Sequence, residues 1–97
     1  MNIQHQDNTQ NGSFFIDGPD HQKTAELTYF WNTPSHFSID HTWVDDSLRG
    51  QGVARLLFDA AIAFARERNV TIIPICTYAD AMFRRDSSFS DVLYHAE

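Results

Sequence analysis

From Lys23 to Trp31 the chain reads KTAELTYFW. Ala25, Leu27, Tyr29 and Trp31 occupy every second position, with Glu26 and Thr28 between them. Period two puts the apolar set on one face of a half-buried strand. GSFFID (12–17) precedes it across the turn GPDH (18–21), where proline fixes φ and glycine permits unusual backbone angles. The two segments predict a hairpin. After the turn NTPS (32–35), HFSIDHTWV (36–44) carries Phe37, Ile39, His41 and Trp43 in one phase and predicts a third strand.

The period then changes. From Gly52 to Arg68 the apolar positions Val53, Leu56, Leu57, Ala60, Ala61, Phe64 and Ala65 recur at helical spacing. Arg55 and Asp59 are one turn apart and can pair. Arg66 and Arg68 suit the negative end of the helix, and Asn69 suits a left-handed stop. VTIIPIC (70–76) is nearly all apolar and predicts a short strand buried on both faces. YADAMFRRD (78–86) predicts a second helix, and SFSDVLYHAE is open between a last strand and loose structure. The fold class is therefore α+β, in the order β-β-β-α-β-α. Strands 36–44 and 70–76, joined through a helix, should be parallel. The rest of this mixed, mostly antiparallel sheet is antiparallel, with the helices packed on it.

Composition adds limits. In 97 residues, 42% hydrophobic and 13% aromatic, with eight Phe and two Trp, there is material for one core. No apolar run reaches the roughly 18 residues of a membrane span. MNIQHQDNTQNG is polar, without a signal-peptide core. Residues 1–11 are expected to form a flexible tail, leaving 12–97 as a single domain. A lone cysteine forms no internal disulfide, which favours a reducing, cytoplasmic setting. Thirteen acidic residues outnumber seven basic ones, for a net charge of −6. That balance argues against nucleic acid as a partner; it reads first as plain solubility, and otherwise as a weak attraction for cationic substrates such as amines.

The stretch RGQGVA (49–54) stands between the third strand and the long helix. Each glycine inside a helix costs about 1 kcal/mol relative to alanine. A helix N-terminus, however, offers free N–H groups and about half a positive charge. Glycines at 50 and 52 let a phosphate approach the backbone, and Arg49 adds a cation. A plain strand-to-helix turn needing glycine is the other reading. Neither the Walker pattern nor G-x-G-x-x-G fits, since Arg55 takes the last glycine's place.

R-x-x-G-x-A after a strand, opening a long helix, is similar to the acyl-CoA pyrophosphate motif of the GNAT superfamily of N-acetyltransferases. The run H-T-x-V (41–44), R-G-x-G-h-A (49–54), a helix, then P-x-C-x-[YF] (74–78) resembles the compact, roughly 95-residue branch of that superfamily. The resemblance covers about 12–86, most densely 41–86. Asp45-Asp46 stands where relatives often have Pro-Glu, and Ser87-Ser88 where they often have His-Pro.

The resemblance implies acetyl-CoA as cofactor and an amine, small molecule or peptide, as acceptor, with no metal, membrane or nucleic acid. It implies a monomer or weak homodimer. The cofactor would meet Arg49, Gly50, Gln51, Gly52, Val53 and Ala54. Its pantetheine arm would enter a gap between strands 36–44 and 70–76. Pro74, which has no N–H for a ladder, suits a strand that splays, or alternatively an edge or bulge. An oxyanion donor could be a backbone N–H near Trp43 or Val44. A general base could be His41, or Asp45 or Asp46 through water. Tyr78 could protonate the leaving thiolate, or simply pack at the helix start. Cys76 could be nucleophile, acid or pocket lining. The competing functions are a non-catalytic acyl-CoA binder and a protein-interaction module on the same fold.

Overall fold

The three segments read as antiparallel strands join two more in one five-stranded sheet, in the order β1-β2-β3-β4-β5, in a computed structural model that describes residues 2–96. The strands are β1 (Gln4–Asp7), β2 (Asn11–Asp17), β3 (Lys23–Thr33), β4 (His36–Val44) and β5 (Thr71–Pro74), with α1 (Val53–Arg68) and α2 (Thr77–Arg85). The first four strands are antiparallel. β4 and β5 are parallel, as a helical crossover requires. No helix among the described residues is long and apolar enough to cross a membrane.

The expected alternation of β3 holds: Ala25, Leu27 and Tyr29 are buried, and Trp31 is half-buried. They pack with Phe37 and Ile39 of β4 against Leu57, Phe58, Ala61 and Ala65 of α1. Burying each large side chain contributes about 1.5–3 kcal/mol. Asn69, in the left-handed conformation at φ 57°, ends α1 by donating its N–H to Ala65 and Arg66 carbonyls. Arg66 then grips the Asp91 carboxylate at 3.0 Å through two nitrogens. That holds the 3-10 turn Ser87–Val92, with buried Phe89 and Val92, against the helix.

Three expectations need correction. Residues 4–7, read as part of a tail, pair with β2. Polar side chains hold them there, which is why the hydrophobic pattern gave no sign. His5 stacks on Phe14 at 4.1 Å between ring centroids. The Asp7 carboxylate accepts hydrogen bonds from Tyr29 Oη at 2.6 Å and Trp31 Nε1 at 2.9 Å. Since Tyr29 donates to Asp7, its oxygen accepts from His5 Nε2 at 2.6 Å. Partial burial works against ionised Asp7, but these bonds, the Thr9 N–H and nearby Arg68 still hold its pKa below the usual carboxylate value. Burial and Asp7 push the Tyr29 phenol well above its usual value.

The second correction concerns β4. Thr28 pairs with His41 but Tyr29 pairs with Ile39, so Asp40 is an extra residue in a bulge. The bulge switches the strand's phase. Phe37 and Ile39 face the helices, and beyond the bulge Thr42 and Val44 take over that face, opposite Leu27 and Ala25. His41 and Trp43 lie on the other side, opposite Thr28 and Glu26.

The third is β5, expected to be buried on both faces. Ile72 is fully buried, but Thr71, Ile73 and Pro74 are only half-buried, and Ile75, past the end of the strand, is 55% exposed. β5 is the last strand of the sheet, covered beyond by a single bridge from Ile72 to Leu93.

Candidate functional site

The β4–β5 ladder ends at Ile39–Pro74. Beyond it the Ile39 carbonyl receives N–H bonds from both Ile75 and Cys76, each at 3.0 Å. The chain then turns away into α2, while β4 runs on to Val44. The two strands thus form a fork with Pro74 at its crotch, where its missing donor costs no ladder bond.

Asp45 N–H bonds to the Thr24 carbonyl. By the alternation of an antiparallel ladder, Trp43 exchanges bonds with Glu26 while the Val44 N–H points away from β3, into the fork. Of the two candidate oxyanion donors, Val44 therefore has the right direction and Trp43 does not.

After β4 a 3-10 turn, Asp46–Leu48, leads to the glycines. Gly50 (φ 80°) and Gly52 (φ 71°) are both left-handed, a conformation in which other residues pay about 1–2 kcal/mol. A Cβ built on either meets no protein atom within 4 Å. The glycines therefore serve the turn and keep open space before the helix; they do not relieve crowding within the protein. Gly52 caps α1 without any side-chain bond, so the first-turn N–H groups stay available to a ligand. Arg49 Nε touches Asp46 at 2.9 Å, but both side chains are largely exposed, a pair that an anion could replace.

A cleft of about 310 Å³ joins these parts. Val44 and Leu48 form one wall; Arg49, Gly50, Gly52, Val53, Ala54 and Arg55 form the helix mouth; Tyr78 closes the other side. Arg55 and Leu48 were not singled out from the sequence. Arg55 read there only as the partner of Asp59, a pair that forms at 2.8 Å. Gln51 is exposed and does not line this cleft.

Tyr78 packs edge-on against Phe58, and burial, with Asp59 and Cys76 assisting, raises its pKa against the pull of Arg55 and Arg85. The phenol is therefore protonated at neutral pH. Cys76 is half-buried and caps α2, its Sγ accepting from Ala79 N–H at 3.4 Å. Thr42 Oγ1 lies 3.5 Å from the same sulfur. The phase switch at Asp40 makes that contact, so period two alone could not reveal it. His41 is exposed on the opposite face of the sheet from Thr42, and Trp43 with it. Of the alternative bases, Asp45 is bound to the Ser47 hydroxyl and N–H, which lower its pKa, and Asp46 is paired with Arg49.

A family model described as GCN5-related N-acetyl-transferase matches residues 13–92. The fold is similar to that of a GCN5-like protein from Staphylococcus aureus, at 35% identity and TM-score 0.76 over 99% of this chain and 90% of that one. It is also similar to Tetrahymena GCN5, at 10% identity and TM-score 0.64, over 80% of this chain and 51% of that one. A GNAT family acetyltransferase from Elizabethkingia anophelis with acetyl-CoA bound gives 10% identity and TM-score 0.60, over 79% and 52%. The last two likenesses are of fold alone. None of the curated proteins matches the chain.

Proposed function

The chain belongs to the GCN5-related N-acetyltransferase family, whose members draw on acetyl-CoA, and on that premise we propose that the fork and its cleft are the site of acetyl transfer to an amine. One observation carries the proposal. A single cleft joins an uncapped, glycine-lined helix mouth to the Val44 arm of the fork and the Tyr78 phenol.

The space before Gly50 and Gly52 fits a diphosphate: left-handed backbone, no Cβ and free first-turn N–H groups. Val53 and Ala54 N–H groups, with Arg49, would hold it. Bound acetyl-CoA supplies a thioester whose C–S bond breaks as the amine's C–N bond forms. Val44 N–H, aimed into the fork, donates to the carbonyl oxygen; such a donor is worth roughly 10²–10³ in rate. The amine arrives as an ammonium and must shed a proton. His41, at the opposite mouth of the fork, accepts it. Tyr78 donates a proton toward the departing sulfur. Burial raises the pKa of that phenol, which disfavours complete loss of its proton. Tyr78 therefore acts as a hydrogen-bond donor whose proton follows the sulfur late. Cys76, as cap of α2, orients the helix that carries Tyr78, and the amine attacks directly. The free thiol favours a reducing, cytoplasmic setting for a monomer or weak homodimer.

The test is turnover. Acetyl-CoA incubated with a panel of amines should yield acetylated amine and free CoA in equal amounts. CoA binding without any acetylated product would reduce the protein to an acyl-CoA binder.

A further inference from the structure

We propose that the cleft at the C-terminal end of α1 binds a small monocarboxylate with an apolar body. This site is separate from the fork and does not depend on the transferase reading.

The cavity measures about 360 Å³, at the lower end of the range of small-molecule sites. Three segments distant in sequence build it. Asp7 and Thr9 come from the β1–β2 turn, Trp31, Asn32, Thr33 and Pro34 from the end of β3, and Arg68 is the last residue of α1. The helix has 16 residues, so its two ends lie about 24 Å apart, with the glycine-lined mouth at the other.

The polar groups around the cavity sort by type. Its acceptors are spent within the protein. Asp7 accepts from the Thr9 N–H, Tyr29 and Trp31. Asn32 Oδ1 accepts from Ser38 Oγ at 2.7 Å, and Thr33 Oγ1 accepts from the Ser35 N–H. The donors are left over. Among the described residues the Arg68 guanidinium forms no ion pair or hydrogen bond, and neither Asn32 Nδ2 nor the Thr9 hydroxyl donates one. Arg66, by contrast, is spent on Asp91 and the Ser88 carbonyl.

Arg68 is also held in place, 5.1 Å from the Phe64 ring centroid and 5.9 Å from that of Trp31. A guanidinium stationed on aromatic rings can grip a planar carboxylate through two parallel bonds. Asn32 Nδ2 and the Thr9 hydroxyl add neutral donors, and Trp31 and Pro34 supply an apolar wall. Asp7 limits the charge. It is ionised, and Arg68 is near enough to favour that state without pairing with it. A second charge on the ligand would add repulsion from Asp7 along with attraction to Arg68, and more water would be stripped from it. A carboxylate is therefore preferred to a phosphate.

Amide chemical-shift titration of the full chain with phenylacetate tests this. The largest changes should fall at 7–9, 31–33 and 68, and at the Trp31 indole N–H. Phenylacetate should bind at least fivefold more tightly than acetate, which lacks the apolar body, and than phenylacetamide, which lacks the charge. Phenyl phosphate should bind more weakly than phenylacetate. Arg68→Gln, and Asn32→Asp, which keeps an acceptor for Ser38, should each weaken phenylacetate at least fivefold. Both residues are exposed, and thermal unfolding checks the variants; Asn32→Asp decides if Arg68→Gln melts early. Saturating CoA should leave phenylacetate affinity unchanged. Affinity no better than that of acetate or phenylacetamide, phenyl phosphate binding as well or better, or indifference to both substitutions would overturn the inference. Displacement by CoA would also overturn it, by making this cleft part of the cofactor site.

Discussion

Replacing Gly52 with aspartate drives fold stability and cofactor affinity apart. Gly52 sits at φ 71°, ψ 23°, as the cap of α1, and an added Cβ meets nothing within 4 Å. The substitution therefore causes no clash in the free protein. Alanine there would pay about 1–2 kcal/mol for the left-handed backbone. Aspartate tolerates that conformation better, and a negative charge at a helix N-terminus returns about 0.3–1 kcal/mol. Stability should change by less than about 1 kcal/mol, or about 4–8 °C in Tm. The ligand feels the opposite. At a separation of about 5 Å in water-like dielectric, one unit repulsion is about 0.8 kcal/mol, so a doubly charged diphosphate loses about 1.7 kcal/mol. That is more than tenfold in Kd before any steric cost. Gly52→Asn is the neutral control and should lose less. Thermal unfolding and CoA calorimetry read the two effects. Wild-type CoA affinity in Gly52→Asp would mean that no phosphate sits at this helix mouth.

Arg49→Gln should weaken CoA more than pantetheine, and less so at high salt; an equal loss for both ligands would make Arg49 structural. Tyr78→Phe should lower kcat by roughly 10²-fold with little change in acetyl-CoA affinity, measured by thiol release. Cys76→Ala should keep more than a tenth of the activity while losing about 1 kcal/mol of stability with its cap. A protein one acetyl group heavier after acetyl-CoA alone, but not in Cys76→Ala, would instead make the sulfur the nucleophile. For pH, burial leads the causes that lower the His5 pKa below 6.5, outweighing the pull of Asp7. The unfolded chain then binds the proton first, so the contribution is present above pH about 6.5 and lost on acidification toward the lower folded value. Chemical denaturation across that range should show this limb, flattened in His5→Gln.

The glycine turn, the helix it opens and the parallel crossover were legible because each rests on local chemistry or on period. Ala25, Leu27 and Tyr29 declared their face, and Asn69 its left-handed stop. Other features depend on partners distant in sequence. β1 has no apolar alternation; its His5 and Asp7 are fixed by Phe14, Tyr29 and Trp31, which only the folded sheet brings near. The bulge at Asp40 inserts one residue without any glycine or proline to mark it. Its consequence is large, since it exchanges His41 and Trp43 for Thr42 and Val44 on the helix side. The candidate site was thus legible in its residue types before its two faces were. H-T-x-V puts His41 on one face of the sheet, and Thr42 and Val44 on the other.

Amide chemical-shift mapping of the protein titrated with acetyl-CoA tests the central claim most directly. The account predicts the largest changes at Val44, across 49–55 and at 76–79, with small ones elsewhere. Changes centred instead on the separate cleft of Trp31, Pro34 and Arg68, with the helix mouth silent, would contradict it.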